Sequence, residues 1–316
     1  MSEFGWASTT DEVLEGKDLS GRTVFVTGAN SGLGQETARA LASRGAHVIM
    51  AGRDQSKLDE SVAAIHADHP RAQLDTITVD LSSLENIRAA TSRARQRFQK
   101  IDILINNAGV MATPFLHTTD GFEMQFGTNH LGHFALTAEL MPLIERGHLK
   151  RIVNLSSRGH FMGPVNFEDP NYQHRPYDPW TSYGQSKTAN VLFTVGLEQH
   201  FAVLGIHAYA VHPGGIETNL GRHMSPEMRD GLMQRVTTSD SNFRWKTIPQ
   251  GAATSCWAAT ADELEGSGGV YCEDCHVAEV DDESQVSGVR SYALNPSYAE
   301  RLWALSEQLT GAKFPS

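Results

Sequence analysis

Apolar and polar residues alternate along this chain with two different periods, and the alternation predicts strands and helices in turn. It is clearest over 23–53, where a β-branched run, Thr23–Thr27, precedes a turn, apolar residues at helical spacing up to Gly45, and a second apolar run, His47–Ala51. Apolar residues three or four positions apart indicate a helix, and short β-branched runs indicate strands. This stretch therefore predicts a strand, a tight turn, a helix and a second strand.

The alternation continues to the end of the chain without a linker. The further predicted elements are helix Ser56–Ala67, strand Leu74–Val79, helix Leu84–Phe98, strand Ile101–Ile105, strand Lys150–Leu155, helix Ser182–Val203, strand Ile206–Val211, helix Pro249–Ala261, strand Gly269–Tyr271 and helix Ser297–Leu309. Strands alternating with helices predict an α/β fold over residues 19–316: a single-domain Rossmann-type doubly wound parallel β-sheet flanked by helices on both faces. Residues 1–18 have few apolar positions, which predicts a flexible or loosely docked N-terminal arm.

Two stretches interrupt this rhythm: residues 159–180, here called the first excursion, and residues 220–249, the second excursion. The first is rich in aromatic residues and the second in methionine. Both follow predicted strands, so both are expected at the carboxyl edge of the sheet, where doubly wound folds bind ligands. They are predicted to form two walls around an apolar substrate, and the alternative is a pair of surface loops that pack their own aromatic residues.

The acidic net charge of the chain argues against nucleic acid and anionic membranes as partners. A formal net charge of −11 gives no basic surface for nucleic acid or anionic membranes. No run approaches the roughly eighteen apolar residues of a membrane span. The first residues are polar and acidic, unlike a secretory signal, so a cytoplasmic location is expected.

No metal site is predicted from the cysteines or histidines. Cys256, Cys272 and Cys275 are too few for a disulfide framework, and the Cys272/Cys275 pair lacks the second pair that a zinc site needs, so free thiols are expected. His130 and His133 lack a third ligand, so helix packing is the expected role.

The turn after the first predicted strand has a chemical use. Its glycines, Gly28, Gly32 and Gly34, allow a sharp bend and let a ligand approach the backbone closely. The first amides of the following helix lack intrahelical partners and lie at the positive end of the helix dipole. A pyrophosphate group fits that position.

A second chemical signal is the pair Tyr183 and Lys187 on a predicted helix. Residues four apart lie on one helical face, so the phenol and the ammonium point into the same space. A tyrosine ordinarily has a pKa of about 10, and lowering that pKa to near neutral costs about 4 kcal/mol. A nearby cation could supply that energy, and the tyrosine could then exchange a proton with an alcohol or a carbonyl.

These features together resemble the short-chain dehydrogenase/reductase family in its single-domain form, over about residues 20 to 310. The motifs that carry the resemblance occur in the family's order: Thr27-Gly28-x-x-x-Gly32-x-Gly34, Asn106 to Gly109, Asn129, Ser157, Tyr183 with Lys187, and Pro213-Gly214. Details such as His212-Pro213-Gly214 and the closing Arg301 to Ser306 are most similar to the retinol-dehydrogenase-like and WW-domain-oxidoreductase-like branch.

The resemblance implies catalytic roles for four residues. Tyr183 would be the general acid and base, and Lys187 would lower its pKa and hydrogen-bond the nicotinamide ribose. Ser157, preferred over Ser156, would hold and polarise the substrate oxygen. Asn129 would fix a water molecule that links Lys187 to solvent.

The resemblance also implies a cofactor site. Its residues would be Gly28, Asn30, Ser31, Gly32, Leu33, Gly34, Asp80, Leu81, Asn107, Ala108, Gly109, Tyr183, Lys187, Pro213, Gly214, Ile216 and Thr218. The end of the second strand carries Gly52 and Arg53 in place of the acidic residue that binds the ribose in NAD enzymes. A guanidinium pairs with phosphate, so NADP(H) is favoured and NAD(H) is the alternative. Ser31 stands where many NADP-preferring relatives carry a second basic residue.

The sequence thus predicts an NADP(H)-dependent oxidoreductase that interconverts an alcohol and an aldehyde or ketone, with an apolar substrate. One alternative keeps the fold and reduces a carbon–carbon double bond. The other is a non-catalytic NADP(H)-binding regulatory protein. Relatives are commonly dimers or tetramers, so the resemblance also implies a homo-oligomer.

Overall fold

The computed structural model describes residues 4–241 and 243–315, and its strands and helices follow the predicted alternation. The strands are β1 Thr23–Thr27, β2 His47–Gly52, β3 Gln73–Thr78, β4 Ile103–Asn106, β5 Arg151–Leu155, β6 His207–His212, β7 Val270–Glu273 and β8 His276–Val277. The helices are α1 Thr10–Val13, α2 Gly32–Ser43, α3 Gln55–Asp68, α4 Leu84–Arg97, α5 Met124–Phe126, α6 Gly132–Ile144, α7 Pro179–Phe201, α8 Pro226–Ser239, α9 Ile248–Thr260 and α10 Pro296–Thr310.

The strands form one eight-stranded sheet in the order β3-β2-β1-β4-β5-β6-β7-β8. All neighbouring pairs from β3 to β7 are parallel, which confirms the predicted doubly wound sheet. The edge strand β8 differs, because it pairs antiparallel with β7. The two residues between them, Asp274 and Cys275, both have positive φ angles (46° and 58°), as a tight hairpin turn requires. The carboxyl ends of β1, β4, β5 and β6 consequently share one edge.

Helices cover both faces of the sheet, as the sequence predicted. Val24 and Val26 of β1 face one side and join a core with α2, α3 and α9, whereas Phe25 faces the other side and joins a core with α4, α6 and α7. This alternation follows from the two-residue period of a strand. No helix in the described ranges is long and apolar enough to cross a bilayer.

The described part of the N-terminal arm is docked on the body, which corrects the prediction of a flexible or loosely docked arm. Thr9 caps α1 through a capping box with Glu12. Val13 and Leu14 are buried in the core that contains α9. The Gln250 side chain of α9 donates a hydrogen bond to the Ala7 carbonyl at 3.1 Å. Two buried apolar residues and a long-range hydrogen bond therefore attach the segment to α9.

Truncating Leu14 is expected to destabilise the whole domain. Leu14→Ala removes a fully buried side chain, and such changes lower the free energy of unfolding by about 2–5 kcal/mol. The neighbouring exposed change Glu15→Ala is the control and should have little effect. Urea unfolding of the two variants measures the difference, and equal midpoints would mean that the arm contributes nothing to the core.

Candidate active site

The glycine turn after β1 forms a backbone cradle at the start of α2. Gly28 and Gly32 have φ angles of 67° and 55°, which side chains other than glycine rarely adopt. A Cβ on Gly34 would lie 2.3 Å from the Gly28 carbonyl oxygen, so no side chain fits there. The turn therefore presents the first amides of α2 at the sheet edge, where a pyrophosphate would bind.

The turn after β4 packs directly on this cradle. Asn107 donates from Nδ2 to the Thr27 carbonyl at 2.8 Å, and the backbone amides of Asn107 and Ala108 donate to Thr27 Oγ1 at 2.9 and 3.0 Å. A Cβ on Gly109 would lie 3.8 Å from Lys187 Nζ. The turn thus connects the glycine cradle with the catalytic lysine predicted on α7.

The segment after β6 reaches the same place. Gly214 has a φ of 94°. A Cβ on Gly32 would lie 3.5 Å from Thr218 Cγ2, and Ile216 and Leu33 both approach the same glycine of α9, Gly251. Thr218 and Ile216 therefore lie near the glycine cradle, whereas Gly214 approaches the Lys246 side chain.

Ser157, two residues after the end of β5, lies beside Tyr183, since a Cβ on Gly159 would contact both the Tyr183 ring and Ser157 Oγ. The Ser156 hydroxyl instead donates to the Lys187 carbonyl at 2.9 Å, so of the two serines Ser157 faces the phenol. Gly159, which the sequence did not single out, donates its amide to Ser157 Oγ at 3.0 Å. A Cβ on Gly159 would lie 2.8 Å from Tyr183 Cε1, so glycine is needed for the ring to approach this turn. Nothing in the sequence pattern reveals that contact.

The electrostatics of the Tyr183/Lys187 pair differ from the predicted arrangement. Burial raises the pKa of Tyr183 to about 12, although the nearby Ser157 hydroxyl opposes this rise. Burial lowers the pKa of Lys187 to about 8, so its ammonium is still mostly protonated at neutral pH. Lys187 Nζ donates to the Leu155 carbonyl at 3.0 Å and lies 5.6 Å from the centre of the Tyr183 ring. The low pKa predicted for Tyr183 is therefore not found in this arrangement, where burial is the largest influence, and a lowering by Lys187 stays a prediction.

Asn129 lies in a π-helical turn, Gly127–Leu131, between α5 and α6. Its Oδ1 accepts from the Val110 amide at 2.8 Å, and its Nδ2 donates to Ser186 Oγ at 2.9 Å. Its carbonyl accepts from His133 Nδ1 at 2.9 Å. Asn129 thus ties the segment after Gly109 to α7, whereas its predicted water contact stays a prediction. π-turns often occur at functional sites, but no sequence signal announces this one.

The two histidines that could have suggested a metal have separate hydrogen-bond partners. His130 Nε2 bonds Ser306 Oγ at 2.7 Å, and His133 Nε2 bonds Thr27 Oγ1 at 2.9 Å. Burial lowers the pKa of His130 to about 3 and that of His133 to about 4. Both are neutral, and His133 connects the glycine cradle to Asn129.

The residues predicted to bind the adenosine part of the cofactor, Arg53, Asp80 and Leu81, have separate surroundings. Arg53 directly follows β2 and is exposed. Asp80 Oδ1 accepts from the Ser82 amide at 2.9 Å. Leu81 is buried, and a Cβ on Gly132 would lie 2.4 Å from its carbonyl oxygen. The Leu81 side chain therefore belongs to the core beneath α6.

The two excursions differ in how they pack. Tyr172 and Trp180 of the first excursion are buried, and Phe167 packs against Tyr298 of α10. Tyr172 and Trp180 therefore pack into the body, whereas Phe161 and Tyr177 are half-exposed, and the wall stays a prediction for this excursion. In the second excursion, no described residue of α8 is fully buried. Met228 and Leu232 of that helix are half-buried, so it has a half-exposed apolar face.

Several known proteins are similar to this chain in sequence or in fold. The family model described as short chain dehydrogenase matches residues 22–229. Retinol dehydrogenase 12 of Mus musculus is 41% identical over 94% of this chain and 88% of that protein. Short-chain dehydrogenase TIC 32 B, chloroplastic, of Brassica napus is 39% identical over 98% and 94%. The crystal structure of an uncharacterized protein from Mycobacterium paratuberculosis has a TM-score of 0.74 at 37% identity, covering 99% of this chain and all of that one.

Proposed function

The chain belongs to the short-chain dehydrogenase family, and we propose that within it the protein is an NADP(H)-dependent oxidoreductase interconverting an alcohol and an aldehyde or ketone. One observation carries the proposal. Tyr183 lies beside Ser157 and has Lys187 one helical turn away, at the sheet edge that also holds the glycine cradle. A phosphate-binding turn and an acid–base pair at one edge suit hydride chemistry on a carbonyl.

In the proposed reaction, Tyr183 exchanges a proton with the substrate oxygen. Because burial raises its pKa to about 12, the phenol is protonated at neutral pH. A protonated phenol can donate to a carbonyl oxygen as that oxygen gains negative charge, so the resting site is prepared for carbonyl reduction. In the reverse direction the alcohol returns its proton to the tyrosinate.

Ser157 and Lys187 prepare the site for that transfer. The Ser157 hydroxyl lies near the Tyr183 ring and would hold the substrate oxygen beside the phenol. Lys187 supplies a buried positive charge near Gly109. Fixed dipoles and charges aimed at developing charge contribute much of the rate enhancement in such sites. The bound cofactor supplies or accepts the hydride.

The choice of NADP(H) rests on Arg53. The preceding residue, Gly52, carries no carboxylate to bind ribose hydroxyls, and the adjacent Asp54 caps α3 by accepting from the Lys57 amide at 3.2 Å. The guanidinium of Arg53 is therefore the charged group at the end of β2 that could contact the ribose. A guanidinium favours a 2′-phosphate, whereas a carboxylate would repel it.

Replacing Arg53 with glutamine is expected to raise the KM for NADPH by about tenfold or more and to leave the KM for NADH within about twofold, since one charge-assisted phosphate contact is lost. Arg71→Gln, another exposed position, is the control and should change neither KM. Steady-state kinetics with both cofactors measure this. An unchanged ratio in Arg53→Gln would remove the basis for NADP(H) preference.

An apolar substrate is part of the proposal. The second excursion offers Phe243, which contacts Trp245 at 5.0 Å between ring centres and approaches Gly215 beside the cofactor segment. Met228 and Leu232 of α8 are half-buried and four residues apart, on one helical face. Such flexible apolar walls accept many shapes. The name of the retinol dehydrogenase relative also points to an apolar alcohol.

The experiment that tests the proposal is turnover on a panel of apolar aldehydes, ketones, enones and alcohols, retinal and retinol included. Each substrate is combined with NADPH, NADH and their oxidised forms. Product analysis that separates an alcohol from a saturated ketone distinguishes carbonyl from carbon–carbon double bond reduction. Cofactor binding without turnover on any class would favour the non-catalytic alternative. The cytoplasmic location and the homo-oligomer stay predictions.

A further inference from the structure

A cluster of cations lies where the second excursion meets the end of β2. Arg222 and His223 belong to a 3-10 turn, Asn219–His223, at the start of that excursion, and Arg53 follows β2. Partial burial and, after it, the charge of Arg53 lower the pKa of Arg222. Partial burial, Arg222 and then Arg53 lower the pKa of His223. The charge of Arg53 therefore acts on both residues of this turn.

A chain of contacts places this turn beside the glycine cradle. Asn219 lines one cavity of about 310 Å³ together with Asn30 and Ser31. Arg222 Nη1 donates to the Asn219 carbonyl at 3.0 Å. On the other side, Asn30 Oδ1 lies 3.3 Å from where a Cβ on Gly52 would be. The cradle thus lies between the residue that precedes Arg53 and the residue that Arg222 contacts.

No carboxylate in the described ranges forms an ion pair with Arg53 or Arg222, whereas Arg39 pairs with two carboxylates and Arg97 with one. Lys57 and Glu60 of α3 also line the cavity, and their charges offset each other. Two neighbouring guanidinium groups without an acidic partner cost free energy, which an anion between them would recover.

We propose that Arg222 is a second phosphate-binding residue, which together with Arg53 binds the 2′-phosphate of NADP(H) and closes the second excursion over the adenosine end of the cofactor. The inference rests on the proposed function, because it requires NADP(H). Ser31 stands in the glycine cradle where many NADP-preferring relatives carry a second basic residue. In this chain the second excursion would supply that second cation instead. Cofactor choice and the position of the substrate wall are then coupled, since Arg222 and α8 belong to one segment.

The test is binding, measured by isothermal titration calorimetry on the full chain. The ligands are adenosine 2′,5′-bisphosphate and adenosine 5′-monophosphate, which differ only in the 2′-phosphate. Arg222→Gln should bind the bisphosphate about tenfold more weakly and the monophosphate within about twofold of the unmodified protein. Arg222→Lys should recover part of the loss because it keeps the charge. Arg235→Gln, an exposed change on α8, is the control and should match the unmodified protein for both ligands.

Two results would overturn the inference while leaving NADP(H) preference intact. One is loss of bisphosphate affinity in Arg53→Gln but not in Arg222→Gln. The other is equal weakening of both ligands in Arg222→Gln, because Arg222 would then act on the whole nucleotide. Equal affinity of the unmodified protein for both ligands would overturn the choice of NADP(H) itself, and the inference with it.

Discussion

Tyr183→Phe is expected to lower kcat by at least about a hundredfold, and by up to about 10⁴-fold, because it removes the proton that the proposed reaction needs at the substrate oxygen. The aromatic ring remains, so its contact with Gly159 and the packing of α7 are kept. The glycine cradle lies on another element, so NADPH affinity should stay within about twofold. Steady-state kinetics and calorimetric titration with NADPH measure the two effects separately.

The matched control for this change is Tyr209→Phe. Tyr209 is also buried, but its hydroxyl donates to the Leu264 carbonyl at 3.0 Å, on the face of β6 away from the site. Losing that bond should lower the free energy of unfolding by about 1 kcal/mol and leave kcat unchanged. If Tyr183→Phe turned over as fast as Tyr209→Phe, another group would have to supply the proton.

The proximity of Tyr183 and Lys187 was predictable because it depends on local geometry. Four residues separate Tyr183 from Lys187, and the helical period alone places them on one face. Ser157 was predictable for a related reason: it follows a buried strand, and parallel strands end at a common edge. The glycine turn was predictable because its spacing follows a β-branched run.

The charge state of the pair was not predictable from spacing. Whether a cation lowers a tyrosine pKa depends on how deeply both groups are buried and on which acceptor the cation selects. Here Lys187 donates to Leu155 and burial dominates, so the pKa of Tyr183 rises. The burial of Tyr183 and Lys187 depends on how all the helices and strands pack around α7. The local sequence pattern does not predict it.

The pattern of apolar and polar residues also does not predict contacts between residues that are distant in sequence. Lys17 pairs with Asp262 at 2.8 Å, and this pair helps to dock an arm whose apolar pattern is sparse. The approach of Gly159 to Tyr183 and the proximity of Arg53 to Arg222 likewise depend on how loops meet at the sheet edge. Loops carry the specificity of such sites, and their conformations are set by the tertiary fold.

Gly34→Ala is expected to abolish measurable NADPH binding, with affinity at least about a hundredfold weaker, and to lower the free energy of unfolding by about 1–3 kcal/mol. The added Cβ would lie 2.3 Å from the Gly28 carbonyl oxygen and 2.5 Å from Asn107 Nδ2. The first of these atoms belongs to the backbone, so no side-chain rotation can relieve the clash. The turn must open, and the amides that would hold the pyrophosphate move with it.

Gly231→Ala separates this clash from the general effect of adding a methyl group to a helix. Gly231 lies in α8, and a Cβ there would meet no described atom within 4 Å. That variant should keep NADPH affinity and gain about 0.5–1 kcal/mol of unfolding free energy, because alanine restricts the unfolded chain. Calorimetric titration and urea unfolding compare the pair. Equal NADPH affinity in the two variants would mean that the turn after β1 is not the phosphate site, and the proposed cofactor would need another cradle.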